Sequence, residues 1–514
     1  MNINGKFYFE NKLKKVKSLN NTIELLDRER IELNDMLINK SEYSQYLTPV
    51  TVARFMASLF DSDKLDNPNI LDAGAGIGTL TAALLETLIN EKTSSIDCTL
   101  VEVDEILGCR IKSTLSPFKD KLNIESLKIS EDFIAWGVDK LDSQLNLFNH
   151  QQIGKYTHAI LNPPYKKIRS NSLHRRLLRS IGIETVNLYS AFVALTIKLL
   201  ADGGQIVAII PRSFCNGPYY RSFRELILKD TVIKHLHLFE SRNKAFKDDE
   251  VLQENVIIML ERGGKQGKVK ISTSTDASFT DYEENIYPFE QIVREGDSES
   301  FFHIPTSQGE SIIDLFPSVK YSLEDLGISV STGPVVSFRA KEHLRSMPED
   351  GTVPMLYPTH IEQSSVKWIK RDSKKPNAIV RNEETEKMLY PNGFYTIIRR
   401  FSAKEEKKRI ISGVTIPEMF NSPVLGFDNG LNVLHRDRTS MQKELAFGLY
   451  VYLSSTLVDK YFRLFNGHTQ VNATDLRAMY FPSIEILTTL GDWYLSYKGD
   501  ISQDDIDIKL EEVL

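Results

Sequence analysis

The chain has 514 residues, 41% hydrophobic and 26% charged, with 63 Lys and Arg against 69 Asp and Glu and a formal net charge of −6. That is the composition of an ordinary globular protein long enough for two or more domains with real cores. Cys98, Cys109 and Cys215 show neither C-x-x-C pairing nor metal-ligand spacing with histidines, which argues against a disulfide framework or a zinc site and for a reducing compartment.

No apolar run approaches the roughly 20 residues of a membrane span, and the N-terminus lacks a signal-peptide hydrophobic region, so a cytoplasmic location is expected. Residues 1–45, rich in Lys, Leu, Glu and Ile from 10 to 40, predict an amphipathic helix or helix pair leading into Tyr46-Leu47-Thr48-Pro49. A helix over Val50–Leu59 follows. Asn69 to Leu80 then reads as a buried strand, a glycine turn (Gly74, Gly76, Gly78) and the start of a helix through Leu88. Glycines let backbone approach a ligand closely. The spacing is G-x-G-x-G rather than the dinucleotide G-x-G-x-x-G, and an ordinary strand-to-helix loop reads the same way. The next strand, Asp97–Asp104, ends in acids at about the distance where a carboxylate meets a ribose diol, although Glu102 also suits a solvated strand end.

The apolar run His158–Leu161 ends in Asn162-Pro163-Pro164-Tyr165. An exocyclic NH2 group is a poor nucleophile because its lone pair is delocalised. Two acceptors aimed at its hydrogens, the Asn162 side-chain oxygen and the Pro163 carbonyl, favour a localised lone pair, which is preorganisation where charge develops. Proline fixes φ and stiffens the loop, and Tyr165 can stack on the ring that carries the amine. Asn-Pro is also a common turn dipeptide. Lys166, Lys167 and Arg169 follow directly, then Arg175, Arg176 and Arg179. A helix over Leu188–Leu200 and strands over Gln205–Pro211, Val232–Leu238 and Asn255–Leu260 complete the pattern, with no helix between the last two strands. Short apolar strands alternating with helices argue an α/β, largely parallel, doubly wound sheet. Ligands sit beyond strand carboxyl ends in such sheets, so the glycine loop and Asn162 should meet.

Gly263-Gly264 reads as the linker ending a sheet domain of residues 46–265. Beyond it, residues 268–320 carry no assignable chemistry, Ile328–Val336 is strand-like, and Leu445–Phe465 is an apolar helical stretch. In the polar loop from Asn466 to Arg477, Gln470, Asn472 and Arg477 suit base-edge or phosphate contacts, and suit helix capping and packing equally.

These motifs, in this order over about Tyr46 to Leu260, resemble the gamma-class S-adenosylmethionine-dependent DNA adenine-N6 methyltransferases, the Eco-type and Pst-type modification enzymes. The resemblance implies a Rossmann-like methyltransferase sheet with an antiparallel last strand, and a mixed α/β target-recognition domain over 266–514. It implies S-adenosylmethionine as cofactor, held by Tyr46, Thr48, Asp72, Ala73, Gly74, Gly76, Glu102 on the ribose, Asp132 on the adenine amino group, and Phe133 and Phe192 beside the ring. It implies Asn162, Pro163, Pro164 and Tyr165 as the catalytic loop, and Tyr165 and Phe246 as stackers on a flipped adenine.

The net charge does not oppose DNA binding, because phosphates need local cations, here Lys166, Lys167 and Arg169, with a second cluster over Arg399–Arg409. The expected partners are double-stranded DNA and a cognate restriction endonuclease; a monomer is implied, and no metal or covalent intermediate enters the expected mechanism. Cytosine N4 methylation, protein-glutamine methylation and a non-catalytic DNA-binding specificity or assembly subunit are the alternatives; the large second domain disfavours the glutamine reading, and the complete motif set disfavours the last.

Overall fold

The computed structural model describes residues 47–61, 68–89, 96–120, 122–146, 155–239, 254–305, 315–362, 365–371, 374–402, 406–466 and 469–514. The expected N-terminal helices, Tyr46 and Phe246 lie outside the described residues. The chain forms two compact units, residues 1–307 and 308–514.

The first unit is built on nine strands: β1 (Asn69–Ala73), β2 (Ile96–Glu102), β3 (Leu122–Ile129), β4 (Tyr156–Leu161), β5 (Leu200–Pro211), β6 (Thr231–Phe239), β7 (Asn255–Arg262), β8 (Val269–Ser274) and β9 (Glu283–Tyr287), in the order 3-2-1-4-5-7-6-8-9. β1 to β5 are mutually parallel, and β7 runs antiparallel between β5 and β6. Side chains alternate across a strand, and the burial follows. Ile70, Leu100, Ile160, Val207 and Ile209 pack with helices α1 (Val50–Ser58), α2 (Thr79–Leu88) and α3 (Glu105–Leu115). Leu71, Val101, Leu161, Ile206 and Ala208 pack on the opposite face, with α4 (Phe133–Asn146), α6 (Leu188–Leu199) and α7 (Arg221–Asp230); α5 (Leu173–Ser180) precedes α6 in the chain. Strand order reverses between β1 and β4, so the ligand crevice expected of such sheets lies beyond their carboxyl ends.

The sheet does not end at residue 265. Gly263 and Gly264, with φ of 69° and 82°, turn the chain back so that β8 pairs parallel with β6. Gln266 pins this return: its Oε1 accepts from Ile233 N at 2.8 Å and its Nε2 donates to Ile233 O at 3.0 Å. The segment without assignable chemistry therefore supplies β8 and β9, and the unit boundary falls at 307/308.

The second unit holds an antiparallel four-stranded sheet (Ser329–Thr332, Leu431–His435, Thr396–Arg399, Ser412–Val414) and a five-stranded mixed sheet. The apolar stretch expected as one helix is two, Lys443–Leu453 and Thr456–Phe465. Ser455 breaks it by capping the second, its Oγ accepting from Val458 N at 3.2 Å. The first packs against Ile484–Ser496 at Gly448 and Gly491, where any Cβ would overlap the facing backbone carbonyls of Leu487 and Glu444.

Candidate functional site

A cavity of about 390 Å³ opens at the β1/β4 crevice, within the size range of small-molecule sites. The glycine loop forms one wall. Gly74 and Gly76 hold φ of 77° and 56°, a region that favours glycine. Gly74 N donates to Val101 O at 2.9 Å, which ties the loop to β2. At the end of that strand Glu102, 3% exposed, accepts from Gly76 N at 2.7 Å and from Asp104 N at 2.8 Å. Burial raises the Glu102 pKa, and those amides oppose the rise. Asp104 itself caps α3, accepting from Ile106 N and Leu107 N.

Asp132 and Phe133, at the start of α4, line the far end. Asp132 Oδ1 accepts from Ala135 N at 2.9 Å, and His174 Nε2 lies 2.8 Å from Oδ2. Burial would raise the Asp132 pKa, but the His174 hydrogen bond and the helix-terminal amides outweigh it and hold the group below its ordinary value. The same bond raises the pKa of His174. The Phe133 and Phe192 rings meet at 4.8 Å between centroids, making an apolar wall.

Asn162 and Pro164 bring the catalytic-loop candidate into this cavity together with Thr48. Asn162 Nδ2 donates to Thr48 Oγ1 at 3.0 Å. The Tyr165 hydroxyl lies 3.3 Å from Asn162 Oδ1 and 3.2 Å from Ile209 O, while its ring sits edge-on to Tyr189 at 6.3 Å. The loop is held from below, with Ile168 N donating to Val186 O at 2.7 Å and Leu188 N to Lys166 O at 2.8 Å.

Some expected site residues stand elsewhere. Asp72 is fully buried and does not line the cavity: its Oδ2 accepts from Thr81 Oγ1 of α2 at 2.6 Å, and burial pushes its pKa up to about 7. Ala73 packs into the core on the opposite face. Pro163 and Tyr165 flank the cavity rather than line it. Lys166, Lys167 and Arg169 are exposed along its rim. Arg175 and Arg179 are instead paired with Glu184, which removes them from a free basic cluster. In the second cluster, Arg409 is 1% exposed and bonded to Ser402 and Asn466, while Arg399 bonds the carbonyls of Pro358 and Ile361. In the polar loop, Asn472 is the N-cap of Ala473–Arg477 with a reciprocal bond from Asp475, Arg477 donates to Val330 O at 2.9 Å, and Gln470 bridges to Phe401. Sequence reasoning missed Glu131, Ser172 and His174 at the cavity; Glu131 adjoins Asp132 after β3, whereas Ser172 and His174 carry no motif and reach the cavity only by the folding back of residues 166–174.

The residues present fit S-adenosylmethionine: Glu102 and Asp132 supply two carboxylates, Phe133 and Phe192 an apolar wall, and Gly74 and Gly76 a backbone that a ligand can approach closely. A doubly wound sheet with an antiparallel β7 and such a cavity beyond β1 and β4 defines the class, an S-adenosylmethionine-dependent methyltransferase. Residues 9–246 match the family model described as Eco57I restriction-modification methylase. The chain is 58% identical to the type II methyltransferase M.BsuBI of Bacillus subtilis over 96% of its own length and 98% of that protein's. It is 42% identical to the type II methyltransferase M.PstI of Providencia stuartii, covering 87% and 88%. Among solved structures, a DrdV–DNA complex shares the fold with a TM-score of 0.50 at 13% identity, over 88% of this chain and 57% of that one. The chain belongs to the Eco57I-type restriction-modification methylases and is an S-adenosylmethionine-dependent DNA methyltransferase. No helix among the described residues is long and apolar enough to cross a membrane.

Proposed function

We propose that this enzyme methylates N6 of an adenine flipped out of double-stranded DNA, as the modification component of a restriction-modification system. The observation that carries the reading is the polarity of the Asn162 amide. Its Nδ2 donates to Thr48 Oγ1, so its oxygen, which lies 3.3 Å from the Tyr165 hydroxyl, is the acceptor end of the amide, and an amide oxygen takes two donors. An amino group inside the base stack is out of reach, so the base must be extruded.

When bound, S-adenosylmethionine supplies an electrophilic sulfonium methyl group. Glu102 and the Gly74–Gly76 backbone would hold the ribose and methionine portions, with Thr48 beside them and Tyr46 assigned to the same role. Asp132 would accept from the adenine amino group of the cofactor, and Phe133 and Phe192 would offer the apolar wall for its ring. Asn162 Oδ1 and the Pro163 carbonyl would accept hydrogen bonds from the two N–H groups of the target amine, localising the lone pair that takes the methyl group. Pro164 stiffens the loop, and Tyr165 and Phe246 hold the target ring. Lys166, Lys167 and Arg169 meet phosphates beside the extruded base. The unit over 308–514 reads the sequence, with Gln470 as its candidate base contact and Asn472 and Arg477 shaping the loop that presents it. The enzyme works as a monomer in the cytoplasm, where a cognate endonuclease would cut unmodified sites.

The test is transfer of labelled methyl to plasmid DNA, followed by digestion to nucleosides. Label in N6-methyladenine, lost in Asn162→Ala with cofactor affinity kept, is the expected outcome. Label in N4-methylcytosine, or near-native turnover by Asn162→Ala, refutes it.

A further inference from the structure

We infer that His174 is a positioning residue that sets the Asp132 carboxylate as acceptor for the exocyclic amino group of the cofactor's adenine, so that amino-purine selection depends on the segment after the catalytic loop. This rests on the assignment of Asp132 to that amino group. The two Asp132 oxygens are not equivalent. Oδ1 faces the first turn of α4, accepting from Ala135 N. Oδ2 faces His174 Nε2 at 2.8 Å. A carboxylate is acceptor-only and each oxygen takes two donors, so Oδ2 keeps a place for one more N–H.

The pair is reachable from the cavity, with side chains 34% and 39% exposed, and both residues line it. An exposed ion pair of this kind adds little to stability, so its consequence lies in geometry. With one oxygen fixed by the helix and the other by His174, the carboxylate cannot rotate away from an amino hydrogen. A 6-oxo purine would set oxygen against oxygen there. His174 is itself held in place, because Ser172 caps α5, its Oγ accepting from Arg175 N at 3.3 Å. Lys166, Arg169, Ser172 and His174 all line the cavity, so residues 162–174 run from the target amine to the cofactor's adenine.

The test is calorimetric binding to the full-length protein of S-adenosylhomocysteine and of its 6-oxo analogue S-inosylhomocysteine. One charge-assisted hydrogen bond corresponds to about tenfold in affinity. The wild type should therefore favour the amino ligand by at least that factor. His174→Ala should lose most of the preference, and His174→Gln, which restores an N–H donor, should recover it, with thermal unfolding unchanged in both. A His174→Ala variant that keeps the preference overturns the inference. Asp132→Asn separates the two levels: if it too keeps the preference, the assignment of Asp132 fails. If it loses the preference while His174→Ala does not, only the role of His174 fails.

Discussion

Thr48→Val isolates the bond that orients the proposed acceptor. The substitution keeps shape at a site 5% exposed and deletes the hydroxyl that receives Asn162 Nδ2 at 3.0 Å. A neutral hydrogen bond contributes about 0.5–1.5 kcal/mol, and a buried donor left unpaired costs about 1–3 kcal/mol. Losing Thr48 therefore leaves the productive amide about 1–2 kcal/mol less favourable than the flipped one, which presents NH2 to an amine and frees Nδ2 from its buried contact. That corresponds to about 5–30-fold in kcat. Asn162→Ala, which deletes the acceptor outright, should cost about 10²–10³-fold, as losing one preorganised partner of a developing charge does. The decisive quantity is the double variant. If Thr48 acts through the amide, Thr48→Val on the Asn162→Ala background should change the rate less than about twofold, since coupled residues are non-additive. The assay is single-turnover transfer of labelled methyl to plasmid DNA at saturating cofactor, which keeps the place of Thr48 at the cavity wall out of the comparison. Full additivity, with Thr48→Val slowing both backgrounds alike, would refute the reasoning.

Gly76→Ala should weaken cofactor binding and lower the melting temperature, because Gly76 has a φ of 56° and its added Cβ would stand 3.1 Å from Leu47 Cδ2; calorimetry and thermal unfolding check both. For Asp72, burial raises the folded pKa from 3.8 to about 7, so the folded state holds a proton that the unfolded state releases. Its contribution is therefore full below about pH 4 and is lost as pH rises to about 7; Asp72→Asn should flatten that part of the stability profile and melt above the wild type at pH 8, and an unchanged profile would count against it. Phe192→Ala removes the ring packed 4.8 Å from Phe133, and should raise the cofactor Kd by at least about tenfold, beyond its core-packing cost of about 3–5 kcal/mol. Asn472→Ser preserves an N-cap side chain, so stability and methylation should both survive; loss of methylation alone would make Asn472 a base contact.

The strands were legible because burial on both faces leaves near-continuous apolar runs such as Ile206–Ile210, and because glycine and proline punctuate their ends. Strand parity decides the place of Asp72. That residue shares the face of Ile70, whose neighbours belong to the α1–α3 side, so its carboxyl meets Thr81 rather than the cavity. Gly263-Gly264 looked like a linker because a turn and a linker need the same residues; only the tertiary bonds from Gln266 to Ile233 distinguish them. Charge runs misled for a related reason. Arg175, Arg179 and Arg409 are cations by type, but a sequence does not display the carboxylate and carbonyl groups that hold them.

Asn162 shows where the limit falls within the site itself. Its position after β4 was readable, because a buried strand ending in Asn-Pro-Pro-Tyr leaves the amide at the sheet's carboxyl edge. Which end of the amide faces the target was not, since oxygen and nitrogen are interchangeable by rotation and the loop's own residues give a weak preference: the Tyr165 hydroxyl is 3.3 Å from Oδ1 and equally close to Ile209 O. The polarity comes from Thr48, 114 residues earlier, which can accept from Nδ2 only because α1 docks beside α2 against the β1–β4 face. A segment that keeps Asn-Pro-Pro-Tyr and loses its hydroxyl partner upstream would keep the loop and lose the preference that makes it an acceptor. The working unit of the proposed chemistry is therefore the loop together with Thr48-Pro49.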